Sequence, residues 1–470
     1  MRPIVAYVLL VSACRAQATA VAPPVPRALL EIGTGYAAKV IGSAVFVSGR
    51  AAEDVLAAEF AGETPLEQAL RPLLHVDEDA AARTLTVRAG DVARTVVFRP
   101  GLGCTLAIGC EPRDLAARVV EMPAWPLDLA SRPWPIGDSV ADEPWPEGAD
   151  EEALRAAVDA QFVERAEHPI RTRAVVVAFR DRLMYERYAP GFDRDMALAG
   201  WSMSKAVTGA LVGIALRQER LRLDDPLPIA AWRDADDPRR HLTWRMLLRM
   251  SSGLTWDESY TDPAGSVPRM LFGEPCAGDF AAQKPPAQAP NQRWQYSSGT
   301  TNILCRALRA TFASDDEYLS FPRRELFAKL GMRSAVLEPD PRGIFVGSSF
   351  VMASARDWVR FGLLYLHDGV WNEERILPEG YVAACTTAVP WAPKGRYGMH
   401  WSLNVGEPED PQRRPYPNLP RDAFMANGYQ GQKLVIVPSR QFVMVRLGCT
   451  KVERDFRDEE LVVALLAALP

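Results

Sequence analysis

Apolar residues between positions 206 and 217 recur at Val207, Ala210, Leu211, Ile214 and Ala215, the three- and four-residue spacing of a helix with a buried face. Upstream, two β-rich runs at 174–179 and 183–188 flank Arg180-Asp181-Arg182 and predict a hairpin. A second pair near the end, 433–437 and 442–447, is joined by Pro438-Ser439-Arg440 and reads the same way. Helical periodicity is also present at 151–164, 300–310, 355–366 and 458–469, with a short apolar helix at 246–250 behind Thr243. The chain order is therefore hairpin, buried helix, helical middle, hairpin, final helix.

The first quarter reads differently. Extended patterns at 44–48 and 84–98, the second broken by a turn at Gly90-Asp91, predict a small α+β unit over residues 23–120. Between 121 and 149 six prolines exclude regular structure, yet Trp125, Trp134 and Trp145 lie among them. Three indoles are not left in water, so this stretch is expected to be an extended strap packed over the main domain, residues 150–470.

Composition changes this picture little. A chain of 470 residues, 48% hydrophobic and 24% charged, is an ordinary globular protein with room for a large core. A formal charge of -5 and scattered arginines argue against nucleic acid as a partner.

The N-terminus has the layout of a secretory signal over residues 1–18: Met1-Arg2, an apolar run at 4–11, then Ala16-Gln17-Ala18. Val11-Ser12-Ala13-Cys14 has the form of a lipobox, so export would end either in a free periplasmic protein or in a lipid anchor on Cys14. No other stretch is expected to reach the ~20 apolar residues of a membrane span. The remaining six cysteines permit disulfides, Cys104 and Cys110 being the expected pair. His75, His168, His241, His367 and His400 are far apart and no Cys-x-x-Cys occurs, so no metal site and no cofactor are expected.

The chemistry lies at Trp201-Ser202-Met203-Ser204-Lys205. Three residues apart on a helix, Ser202 and Lys205 share a face, and a desolvated lysine can take the proton that makes a serine hydroxyl nucleophilic. Tyr296, in Tyr296-Ser297-Ser298-Gly299, supplies a phenol able to pass that proton to a leaving group. Asn427-Gly428-Tyr429-Gln430-Gly431-Gln432 leads into a predicted strand and offers backbone N–H groups; the amides of Ser202 and Gln432 are the expected oxyanion pair. No Gly-x-Ser-x-Gly elbow, phosphate loop or dinucleotide fingerprint competes with this reading.

Ser-x-x-Lys, then Tyr-Ser-Ser, then Gly-Tyr-x-Gly-Gln, in this order, resembles the serine β-lactamase/penicillin-binding superfamily. Within it the chain is most similar to the class C-like branch of 6-aminohexanoate-dimer hydrolases and lactamase-like esterases. Leu247-Leu248-Arg249-Met250-Ser251-Ser252-Gly253-Leu254, Gly347-Ser348-Ser349-Phe350 and the run 357–364 agree with that branch. The resemblance implies an α+β fold with an antiparallel sheet flanked by helices beside a helical region. It implies Ser202 as the acylated nucleophile, Lys205 as base and Tyr296 as proton partner, with Tyr260, Ser298, Tyr429 and Gly431 facing a small ester or amide.

Ser298 stands where the second motif often has Asn, and Tyr429-Gln430-Gly431 where the third has Lys-Thr-Gly or His-x-Gly. Without a cation in the third motif, strong β-lactamase activity is not expected, and no class A-type Glu is assignable. The expected activity is that of an esterase or amidase. The alternatives are a D-alanyl-D-alanine-type peptidase or weak β-lactamase and, from another class, a non-catalytic binding or sensor protein.

Overall fold

The computed structural model describes residues 25–126, 128–165, 169–260, 262–452 and 457–470. The signal and lipobox readings at residues 1–18 lie outside the described residues.

The organising layer is a six-stranded antiparallel sheet whose spatial order is Ser402–Leu403, Phe424–Gly428, Gln432–Val437, Phe442–Gly448, Thr172–Phe179, Arg182–Tyr188. Both predicted hairpins are in it, and they meet inside it as the fourth and fifth strands, where Val176 pairs with Val445 and Val177 with Met444. Side chains alternate across a strand. Ala174, Val176 and Ala178 therefore enter the core under the helix Ala355–Leu366 and the serine helix Ser204–Arg217. Val175, Val177 and Phe179 enter the opposite core, under Glu151–Asp159 and Asp458–Ala467. A strand buried on both faces is a nearly continuous apolar run, as this one is.

Local chemistry sets the helix starts. Asp150, Thr243, Ser297 and Ser354 each accept a hydrogen bond from a backbone N–H three residues on, at Ala153, Met246, Thr300 and Asp357. In the Ala355–Leu366 helix, a Cβ on Gly362 would come within 2.7 Å of Val443. Glycine there lets the helix lie directly on the sheet.

The strap is fastened by arginines. Arg360 lies 4.8 Å from the Trp134 ring and donates to Pro135 O, Gly137 O and Asp138. Arg323 lies 4.3 Å from the Trp125 ring. Such stacking buries an indole face while the guanidinium keeps its hydrogen bonds.

Two N-terminal expectations are corrected. Residues 44–48 are not a strand but the end of a helix, Arg27–Phe46, followed by a turn. That helix crosses a four-stranded sheet of His75–Asp79, Thr84–Ala89, Val92–Arg99 and Gly103–Leu106, the middle two forming the hairpin expected at Gly90-Asp91. At mean hydropathy 1.2 it is also long and apolar enough to cross a membrane, contrary to the sequence reading. Its apolar residues are packed within the fold: Ala37, Ala38 and Ile41 are fully buried over Leu85, Val87 and Val96.

The expected pairing of Cys104 with Cys110 is also corrected: both are free thiols, as are Cys276, Cys305, Cys385 and Cys449. Cys104 is fully buried in the strand Gly103–Leu106, among the apolar side chains beneath the N-terminal helix, whereas Cys110 lies in the loop beyond that strand's end and is only partly buried.

The N-terminal helix is joined to the main region by a buried ion pair, Lys39 with Glu338. Beside it, Tyr36 packs against Phe272 and Trp201, with ring centroids 5.2 and 6.4 Å away. The N-terminal helix thus touches the residue that precedes Ser202.

Candidate active site

Trp201 adopts a left-handed backbone conformation, φ +47°, which a bulky residue adopts only when its surroundings impose it. The turn Trp201–Met203 presents Ser202 just ahead of the serine helix, where the helix N-terminus favours negative charge. One turn on, the Lys205 amine is buried and donates to Ser202 Oγ at 2.8 Å, Ser298 Oγ at 2.9 Å and the Ser348 carbonyl at 3.1 Å. It lies 4.7 Å from the Tyr296 ring centroid. Burial brings the lysine down to about 8, opposed by the charge of Glu258.

These groups open into a cavity of about 520 Å³ lined by Ser202, Lys205, Glu258, Tyr260, Trp294, Tyr296, Arg396, Tyr397, His400 and the run 425–429. Six of the sequence-derived residues are brought together: Ser202, Lys205, Tyr296, Tyr260 and Tyr429 on the cavity lining, and Ser298 through its hydrogen bond with Lys205. The Tyr260 and Tyr429 rings stack in parallel, centroids 4.9 Å apart, and form one wall. Burial holds the Tyr260 hydroxyl well above the ordinary phenol range, while hydrogen bonding with Ser202 and Ser298 acts against that rise.

Gly431 and Gln432 do not line this cavity. Gln430 and Gly431 are both left-handed (φ +64° and +79°) and make the tight turn that pairs Gln432 back against Gly428. The Gln432 side-chain Nε2 donates to Tyr429 O and Gly448 O, while Gly431 O accepts from Arg446. The segment beside the serine is Gly428-Tyr429, since a Cβ on Gly428 would fall 2.3 Å from the Gly200 carbonyl oxygen.

Two residues in the cavity were missed by the sequence reading. Glu258 accepts from Trp256 Nε1 at 2.6 Å, Ser298 N at 2.8 Å and Ser298 Oγ at 2.5 Å. A carboxylate thus stands behind Ser298, where no acidic residue had been assigned. His400 bonds Thr301 Oγ1 through Nε2 at 2.8 Å; burial and the nearby Lys205 hold it neutral, down at about 3. Neither has a local sequence signal, because each is an isolated residue on a loop far from Ser202 in the chain. Among the described residues no cluster of side chains fit to hold a metal ion occurs.

Fold and site define a protein of the serine β-lactamase/penicillin-binding superfamily. Residues 155–468 match the Beta-lactamase family profile, two-thirds of the chain, and the chain belongs to that hydrolase family. It is similar to the 6-aminohexanoate-dimer hydrolase of Paenarthrobacter ureafaciens, 25% identical over 305 residues, covering 59% of this chain and 72% of the relative. The fold is shared with a hydrolase with promiscuous acyltransferase activity, EstCE1 (TM-score 0.52, 14% identity, 68% of this chain and 98% of that one). It is shared too with a D-stereospecific amidohydrolase from Streptomyces sp. (TM-score 0.51, 14% identity, 67% and 98%).

Proposed function

We propose that the chain hydrolyses a small carboxylic ester or amide through an acyl-Ser202 intermediate. The observation that carries this is the buried Lys205 amine, brought down to about 8 and 2.8 Å from Ser202 Oγ. A non-catalytic binding protein has no use for a base beside a serine.

Neutral Lys205 takes the Ser202 proton as Oγ adds to the substrate carbonyl. The oxyanion is held by the amide of Ser202 and that of Tyr429, which replaces Gln432 in this role because Tyr429 lines the cavity beside Gly200-Trp201. Lys205 and Tyr296 pass the proton to the leaving oxygen or nitrogen; water then enters and the same groups run in reverse. The names of the similar proteins, a 6-aminohexanoate-dimer hydrolase, an amidohydrolase and a hydrolase with acyltransferase activity, fit this chemistry.

The test is intact mass after mixing with a fluorophosphonate. Wild type gains one adduct; Ser202→Ala gains none; Lys205→Ala and Tyr296→Phe react at least a hundredfold and about tenfold more slowly. An unlabelled wild type would sink the proposal.

A further inference from the structure

The hydrogen bonds around Lys205 have a direction. Its ammonium donates to Ser298 Oγ, and the Ser298 hydroxyl, having accepted, donates onward to Glu258 Oε1. The carboxylate is held from its other side by Trp256 Nε1 and the Ser298 amide, both on Oε2. Lys205 is also faced by Tyr296, by His400, held neutral, and by the Ser348 carbonyl; Tyr260 stands beside Glu258 and Ser298 on the same wall. Glu258 is thus the anion coupled to a base that must become a cation during the reaction.

We infer that Glu258 is the counter-ion of the lysine base, a positioning residue that acts on Lys205 through the Ser298 hydroxyl; this rests on the serine–lysine acyl transfer proposed above. In acylation the Ser202 O–H bond breaks, its proton forms the third N–H bond of Lys205, and Oγ bonds to the substrate carbonyl carbon. The C=O π pair moves to oxygen, and the proton later leaves Lys205 for the departing heteroatom as its bond to carbon breaks. In the interval an ammonium sits in a cavity that disfavours charge. The Ser298–Glu258 chain stabilises that ammonium, as a buried aspartate stabilises an imidazolium in serine–histidine enzymes. Without it, Lys205 would be neutral at lower pH but a weaker base.

Glu258→Gln discriminates between this role and a structural one. A glutamine can keep its oxygen on Trp256 Nε1 and the Ser298 amide, which places its NH₂ against Ser298 Oγ. Ser298 Oγ then accepts from that NH₂, its own O–H loses the carboxylate acceptor, and the Lys205 ammonium loses the anion at the end of the chain. Loss of charge and loss of that onward bond act in one direction.

The experiment follows the rate of fluorophosphonate labelling at Ser202 from pH 5 to 10. In Glu258→Gln the midpoint of the acid limb is expected to move down by about one pH unit or more, the usual effect of an opposite charge at this range. The plateau is expected to fall about tenfold. Ser298→Ala, which removes the connecting hydroxyl, moves the midpoint the same way by less and carries the test if the first variant does not fold. Glu258→Asp, which keeps the charge, leaves the midpoint within a few tenths of a unit. A lower plateau with an unmoved midpoint in both Glu258→Gln and Ser298→Ala overturns the inference and leaves the serine–lysine reading standing. Absence of labelling in wild type removes that reading itself.

Discussion

Removing Lys39 strands a carboxylate. Its ammonium pairs with Glu338 where the two side chains are 4% and 1% exposed, and it also donates to Cys104 O at 2.6 Å and Ser43 Oγ at 3.2 Å. Glu338 is further held by Cys104 N at 2.7 Å and Ser43 Oγ at 3.0 Å. Breaking a buried ion pair by deleting one partner costs about 3–5 kcal/mol, because the other charge stays in low dielectric. Lys39→Met is expected to cost that much. Glu338→Gln retains the acceptor for Cys104 N, so beyond the ion pair the double variant loses only the hydrogen bonds from Lys39 to Cys104 O and Ser43 Oγ, about 1–3 kcal/mol. The coupling between the two sites should thus be at least ~2 kcal/mol, with the double variant more stable than Lys39→Met alone. Urea unfolding of all four proteins, followed by tryptophan fluorescence at constant m-value, measures it. Additive costs, or a Lys39→Met penalty below ~1 kcal/mol, would refute the view that this pair clamps the N-terminal helix to the main region.

Because Lys205 must be neutral to accept a proton and is brought down to about 8 by burial, wild-type labelling should rise about tenfold per pH unit below 8 and level off above it; a profile flat from pH 6 to 9 would mean another base. Gly428→Ala places a methyl 2.3 Å from Gly200 O, and the strand must retreat from the turn that carries Ser202. Labelling should fall at least tenfold, with a melting temperature only a few degrees lower; unchanged labelling would show that Gly428-Tyr429 does not shape the site. All six described cysteines being free, a denatured sample without reductant should titrate at least six thiols, and the native protein should react fastest at Cys110, the one not fully buried. Two thiols fewer would restore the disulfide between Cys104 and Cys110.

Much of the main region is legible in the chain because its information is local. The hairpin turns at Arg180-Asp181 and Pro438-Ser439-Arg440, Thr243 ahead of its short helix, and the 3.6-residue period after Ala206 are short-range signals, and each produced the expected element. Ser202 and Lys205 are legible for the same reason: a three-residue spacing on a helix has one geometry. The helix Arg27–Phe46 was misread at its end because its apolar residues run nearly all round it, and Val45-Phe46-Val47 taken alone has the composition of a strand.

The sequence by itself determined the alternation of the sheet, the positions of its hairpins, and the serine–lysine pair, since backbone period and turn chemistry act within a few residues. Only the tertiary structure decided that Glu258 stands behind Ser298, 40 residues away, and that Glu338 receives Lys39 across 299. It likewise decided that Gly428 and Tyr429 line the cavity with Ser202, while Gly431 and Gln432 do not. A charge or an amide carries no mark of its partner in the chain; pairing is chosen by which surfaces the packed core brings within hydrogen-bond reach.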